Sequence, residues 1–114
     1  MDEISLAGET QVAEVRGGKI SRYVVSPETF GVEYASLQDI AGGGAEENAE
    51  IIHGVLGGEP GAAQNVVLVN AAAALVAAEV AENFRSGLFV AREAIRSGKA
   101  REKLAALVKF TNRA

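Results

Sequence analysis

The sequence predicts a mixed α/β body, a β-hairpin followed by about four helices, and three observations carry that expectation. Two strand-like runs flank a Gly17-Gly18 pair. Beyond Gly44 the apolar residues recur at helical rather than alternating spacing. Between those later runs stand recognisable stops and starts: GGEPG, Asn83 and Gly98. The length of 114 residues limits the chain to one domain or part of one. Its 48% hydrophobic and 23% charged content fits an ordered globular body. With 5% aromatic residues, the core has to be built mainly from Ala, Val, Leu and Ile.

Composition also removes several function classes. There is no cysteine, hence no disulfide, thiolate metal site or cysteine nucleophile. A single histidine cannot make a histidine-rich metal cluster. The net charge of −4 leaves no basic footprint for nucleic acid, and Lys99, Arg101 and Lys103 are interrupted by Glu102. No secretory leader is visible. The longest apolar stretch, VVLVNAAAALVAA, falls short of the roughly 20 residues a membrane span needs. A soluble, cytoplasmic protein with no nucleic-acid or membrane partner is expected.

Taken in order, Ile4 and Leu6 alternate with Ser5 and suggest a short strand ending at Gly8. In TQVAEVRGGKISRYVV, glycines in both central positions allow the positive φ angles of a tight hairpin turn. That turn pairs Val15 with Ile20, Ala13 with Arg22 and Val12 with Tyr23. Both hairpin faces carry apolar residues, so cover on both sides is expected for part of its length. In SPETFG, Ser26 is a good N-cap, Pro27 suits the first helical position, and Gly31 stops the helix after about one turn. A loop is expected from Ala35 to Gly44. A helix follows from about Ala45 to Gly57, with Glu46 and Glu47 in its first turn and Ala45, Ala49, Ile52 and Leu56 on one face.

The helix expected from about Ala62 to Glu82 is the informative one. From Val66 to Ala78 every residue but Asn70 is apolar, and a helix without a polar face is expected to be buried all round. Asn83 then caps a helix carrying Phe84, Leu88, Ala91 and Ile95 on one side. After Gly98 a last helix aligns Ala100, Leu104, Leu107 and Thr111. So few elements cannot wrap an all-apolar helix and a hairpin at once. More protein is therefore expected to pack here.

Most candidate chemistry has a bland explanation. Gly42 and Gly44 begin a G-x-G-x-x-G pattern, but Glu47 stands at its last glycine and would repel phosphate beside Glu46. AGGGAEEN reads as a helix entry. His53, flanked by Ile51, Ile52 and Val55, lacks a spaced partner and reads as a structural or surface histidine. Asn70 is expected to hydrogen-bond neighbouring backbone rather than a ligand. The charges of AREAIRSGKAREK read as the wet face of two helices. Asp2 and Glu3 remain. In a regular strand they would face opposite ways. In a bend both can turn to one cation, and magnesium accepts one or two protein carboxylates, completing its shell with water and phosphate oxygens. On chemistry alone this signal is weak, because acidic pairs at a chain end are common.

Read in series, DEISLAGETQVAEV, SPETFG, EENAEIIHGVLGGEPG, VVLVNAAAALVAA and AREAIRSGKAREKLAALVKF closely resemble the C-terminal part of the anthranilate phosphoribosyltransferase family. The likeness runs from about Asp2 to Phe110. It implies that residues 1–114 are a segment of an α/β catalytic domain with a central sheet flanked by helices, as in pyrimidine nucleoside phosphorylases. It implies a glycosyltransferase reaction of tryptophan biosynthesis, in which anthranilate displaces pyrophosphate from phosphoribosyl pyrophosphate. It also implies that Asp2 and Glu3 bind Mg2+ that organises the pyrophosphate. No catalytic or substrate-binding residue carries over to this segment. The family's glycine-rich phosphate loop, helical domain and acceptor contacts lie upstream of the matched part, as does the contact through which the complete enzymes form homodimers. The Arg-Asp common in the family is replaced here by Gln64-Asn65. The expectation is an incomplete body, inactive alone, whose partner is the remainder of the same polypeptide. Two other readings stay open: a relative with a different acceptor, and a non-catalytic helical interaction module.

Overall fold

The computed structural model describes residues 1–113. Strands β1 (Thr10–Arg16) and β2 (Lys19–Val25) form one antiparallel hairpin. Val12 faces Tyr23, Ala13 faces Arg22 and Val15 faces Ile20, the register the turn predicts. Gly17 and Gly18 have φ of 57° and 79°, where a Cβ would be strained.

A four-residue helix α1 (Pro27–Phe30) follows, with the Thr29 hydroxyl accepting the Ser26 N–H at 3.0 Å and Gly31 closing it in the left-handed region. The expected loop then contains one short 3-10 turn, Leu37–Ile40, whose Ser36 and Asp39 side chains cap each other's backbone. Four helices complete the chain: α2 (Ala45–Leu56), α3 (Ala62–Ala77), α4 (Phe84–Arg96) and α5 (Lys99–Thr111). Among the described residues, no helix is long and apolar enough to cross a membrane.

The core lies where the N-terminal segment, the hairpin base, α1, α3 and α4 meet. Ile4, Leu6, Val25, Phe30, Leu68, Val69, Ala72 and Leu88 are buried there. Phe30 stacks at a tilt on Phe84, ring centroids 4.9 Å apart. Burying a side chain of that size stabilises by about 1.5–3 kcal/mol over leaving it exposed, so this cluster dominates the fold. Helices α3 and α4 approach closely at Gly87, where a Cβ would sit 2.7 Å from the Ala72 carbonyl oxygen. Arg85 adds a tie from α4 to α1, donating to the Glu28 carbonyl at 3.0 Å.

Several expectations are corrected. The run Ile4–Leu6 forms no strand; it is held by a side chain instead of a neighbouring strand. Helix α3 ends at Ala77, not Glu82. The reason is local: Glu79 adopts φ 61°, and the N–H groups of Glu79 and Val80 turn back to the carbonyls of Val76 and Leu75. That is a Schellman stop, which normally employs glycine. Helix α2 turns Val55 inward, while Ala45, Ala49 and Ile52 remain exposed.

Nor is the apolar helix wrapped all round. Leu68, Val69, Ala72 and Val76 are buried, whereas Val67 is 42% exposed and Ala74 and Ala77 also face outward. The hairpin is covered on one face only. Its other face leaves Val15 70%, Ile20 63% and Val24 51% exposed. On α5 no residue is buried, and Leu107, Val108 and Phe110 stand open.

Candidate metal centre

Asp2 and Glu3 are both exposed, in irregular backbone directly ahead of buried Ile4. A bend rather than a strand holds them, so the alternation that would separate their carboxylates is absent. Among the described residues neither side chain has a hydrogen-bond or ion-pair partner, so both keep their full ligating capacity. They share the wall of an open cleft of about 600 Å³ with residues of β1, Tyr23, Asn70 and the end of α3.

The segment behind the acids is fixed residue by residue. Ile4 N–H donates to Asn70 Oδ1 at 2.9 Å, and Asn70 Nδ2 donates back to the Ile4 carbonyl at 3.0 Å. Ser5 N–H donates to Thr10 Oγ1 at 3.0 Å, and the Leu6 carbonyl accepts the Ala35 N–H at 3.0 Å. The expectation that Asn70 bonds backbone holds, and the backbone is that of the residue following the acid pair.

Electrostatically the cleft is negative: Asp2, Glu3, Glu14 and Glu79 line it against Arg16 alone. Glu14 is engaged, accepting the Tyr23 hydroxyl at 2.7 Å and pairing with Arg16 at 3.2 Å. Burial pushes the Tyr23 phenol up to about 12, and the hydrogen bond and negative charge of Glu14 add to it. This Tyr23–Glu14 pair escaped the sequence reading, yet the register contains it. Val12 opposes Tyr23 and Glu14 opposes Ser21, so Glu14 and Tyr23 are diagonal neighbours on one face.

The donor set fits a hard divalent cation. No group of three or more acidic or histidine residues among those described forms a protein cage. Magnesium does not require one, since it keeps several waters and accepts phosphate oxygens beside one or two carboxylates. Asp2 and Glu3 would hold it, and the cleft leaves room for the other ligands.

The remaining candidates lie elsewhere. His53 is exposed on α2. The glycine entry to α2 is closed by Asn48, which accepts from Gly43 N–H at 2.8 Å and donates back to its carbonyl at 3.0 Å. The charged run of α4 and α5 is exposed, with Glu93 and Arg96 paired one helical turn apart.

Comparison with known proteins agrees with this architecture. The anthranilate phosphoribosyltransferase of Desulfatibacillum aliphaticivorans is 50% identical over 111 residues, 97% of this chain and 33% of that protein. The crystal structure of the Thermus thermophilus anthranilate phosphoribosyltransferase superposes with a TM-score of 0.87 at 35% identity, covering 99% of this chain and 33% of that one. A variant of the Saccharomyces cerevisiae enzyme, solved with Mg bound, gives a TM-score of 0.82 at 30% identity over 92% of this chain and 31% of its own. The chain thus spans about a third of the length of the relatives it matches. A family model described as glycosyl transferase family, a/b domain, matches residues 1–101, and the chain belongs to that family.

Proposed function

We propose that this chain is the C-terminal segment of the catalytic domain of an anthranilate phosphoribosyltransferase, and that Asp2 and Glu3 bind Mg2+ carrying the pyrophosphate of phosphoribosyl pyrophosphate. The observation that carries the reading is the unpartnered acid pair, set on an anchored segment at the edge of a negative cleft. A cation bound there neutralises charge developing on the pyrophosphate leaving group and so lowers the barrier to its departure. The two carboxylates hold that cation and do no acid–base work. Acceptor contacts and the remaining phosphate contacts belong to protein outside these residues. The uncovered faces of α3, α5 and the hairpin support this, because they are the surfaces a larger domain would fill.

A chimaera tests the assignment. This chain replaces the matching third of the Thermus thermophilus enzyme, and phosphoribosyl-anthranilate formation is followed. A folded chimaera should turn over anthranilate and phosphoribosyl pyrophosphate. A folded chimaera without turnover refutes it in favour of the interaction module.

A further inference from the structure

We infer that Asn70 is a positioning residue for the metal site, acting through Ile4 to set the backbone from which Asp2 and Glu3 project; this rests on the metal reading above. Asn70 is the one polar residue between Val66 and Ala78, and a polar side chain there costs stability unless every bond is made. Every bond is made. Oδ1 accepts from Ile4 N–H, and the two Nδ2 protons go to the Ile4 carbonyl at 3.0 Å and the Val66 carbonyl at 2.9 Å.

Each bond has a distinct consequence. The bond to Val66, one helical turn back, locks the amide on the surface of α3. The reciprocal pair to Ile4 then works as one rung of an antiparallel ladder, with a side-chain amide standing in for a strand residue. It joins residues 66 positions apart in sequence. The grip falls on the residue immediately after Glu3, and Asn70 itself lines the same cleft as both acids. Rigid support behind two unpartnered carboxylates is what a hydrogen-bonding residue behind the ligands supplies to a metal site.

The test uses the Thermus chimaera carrying this chain, isotope-labelled for NMR and titrated with Mn2+ in the presence of inorganic pyrophosphate. Manganese suits the same carboxylate and water ligands as magnesium and broadens nearby amide signals. In the parent chimaera, broadening should centre on Asp2 to Ser5, and the Asp2→Asn, Glu3→Gln double variant should abolish it. Asn70→Ala should keep the core spectrum yet weaken Mn2+ binding about tenfold. Asn70→Leu, similar in size but lacking the amide's donors and acceptor, serves if the alanine variant unfolds. Added to the Asp2→Asn, Glu3→Gln background, either change should have no further effect on Mn2+.

A folded Asn70 variant that binds Mn2+ like the parent, merely melting earlier, overturns the positioning role and leaves the metal reading standing. Absence of localised broadening in the folded parent chimaera overturns the metal reading, and this inference with it.

Discussion

Glu14, Tyr23 and Arg16 show how one wall of the cleft is kept from competing for a cation. Glu14 commits its oxygens to the phenol and the guanidinium, which leaves Asp2, Glu3 and Glu79 as the acids of the cleft without a side-chain partner among the described residues. The Tyr23 phenol is pushed from its ordinary value near 10 up to about 12, first by burial and then by Glu14. Folding therefore favours the protonated phenol. That stabilisation is present below pH 10 and fades as pH rises through 12. In a chain carrying Tyr34→Phe, ultraviolet titration should find Tyr23 ionising near 12. Glu14→Gln should bring it down part of the way, since burial remains. Ionisation of the parent Tyr23 at its ordinary value would contradict the pairing.

At the scale of elements, two helices end in the same motif with different residues. In α2 the left-handed position is Gly58, with Glu59 N–H bonded to Gly54 and Gly58 N–H to Val55. In α3 the same pair of bonds closes around Glu79 at φ 61°. A side chain in that conformation costs about 1–2 kcal/mol that glycine does not incur, partly offset by glycine's freer unfolded state. Glu79→Gly should thus stabilise the chain by about 1 kcal/mol, seen as a melting temperature several degrees higher by circular dichroism. An unchanged or lower melting temperature would show that Glu79 is held by something other than the helix stop.

Local signals were legible in the sequence. Gly17-Gly18 fixed the hairpin register and Asn83 the start of α4, because those signals act over a few residues. The end of α3 was hidden because Glu79 carries no glycine signal. The missing first strand was hidden for a different reason: its partner is a side-chain amide far along the chain, which no local period encodes. For the site, spacing offered an acid pair and a solitary asparagine but not their connection. Only the family-wide likeness distinguished Asp2 and Glu3 from an ordinary charged end.

Across the whole molecule, apolar supply exceeds cover. One face of the hairpin, the outer side of α3 and most of α5 leave large aliphatic and aromatic groups in water, while the core between α1, α3 and α4 is tightly closed. The chain spans about a third of the length of the relatives it matches, and its bare flanks support the proposal that it is a segment of a larger catalytic domain. Within that segment we propose that the acid pair serves pyrophosphate through a cation. The most direct measurement is the magnesium dependence of turnover in the Thermus chimaera, with and without Asp2→Asn and Glu3→Gln. The double variant should lose at least about tenfold in rate at low magnesium, the scale of loss that even changes behind the metal ligands bring, and should need more metal to reach half its maximum. Identical magnesium curves for the two proteins would contradict it.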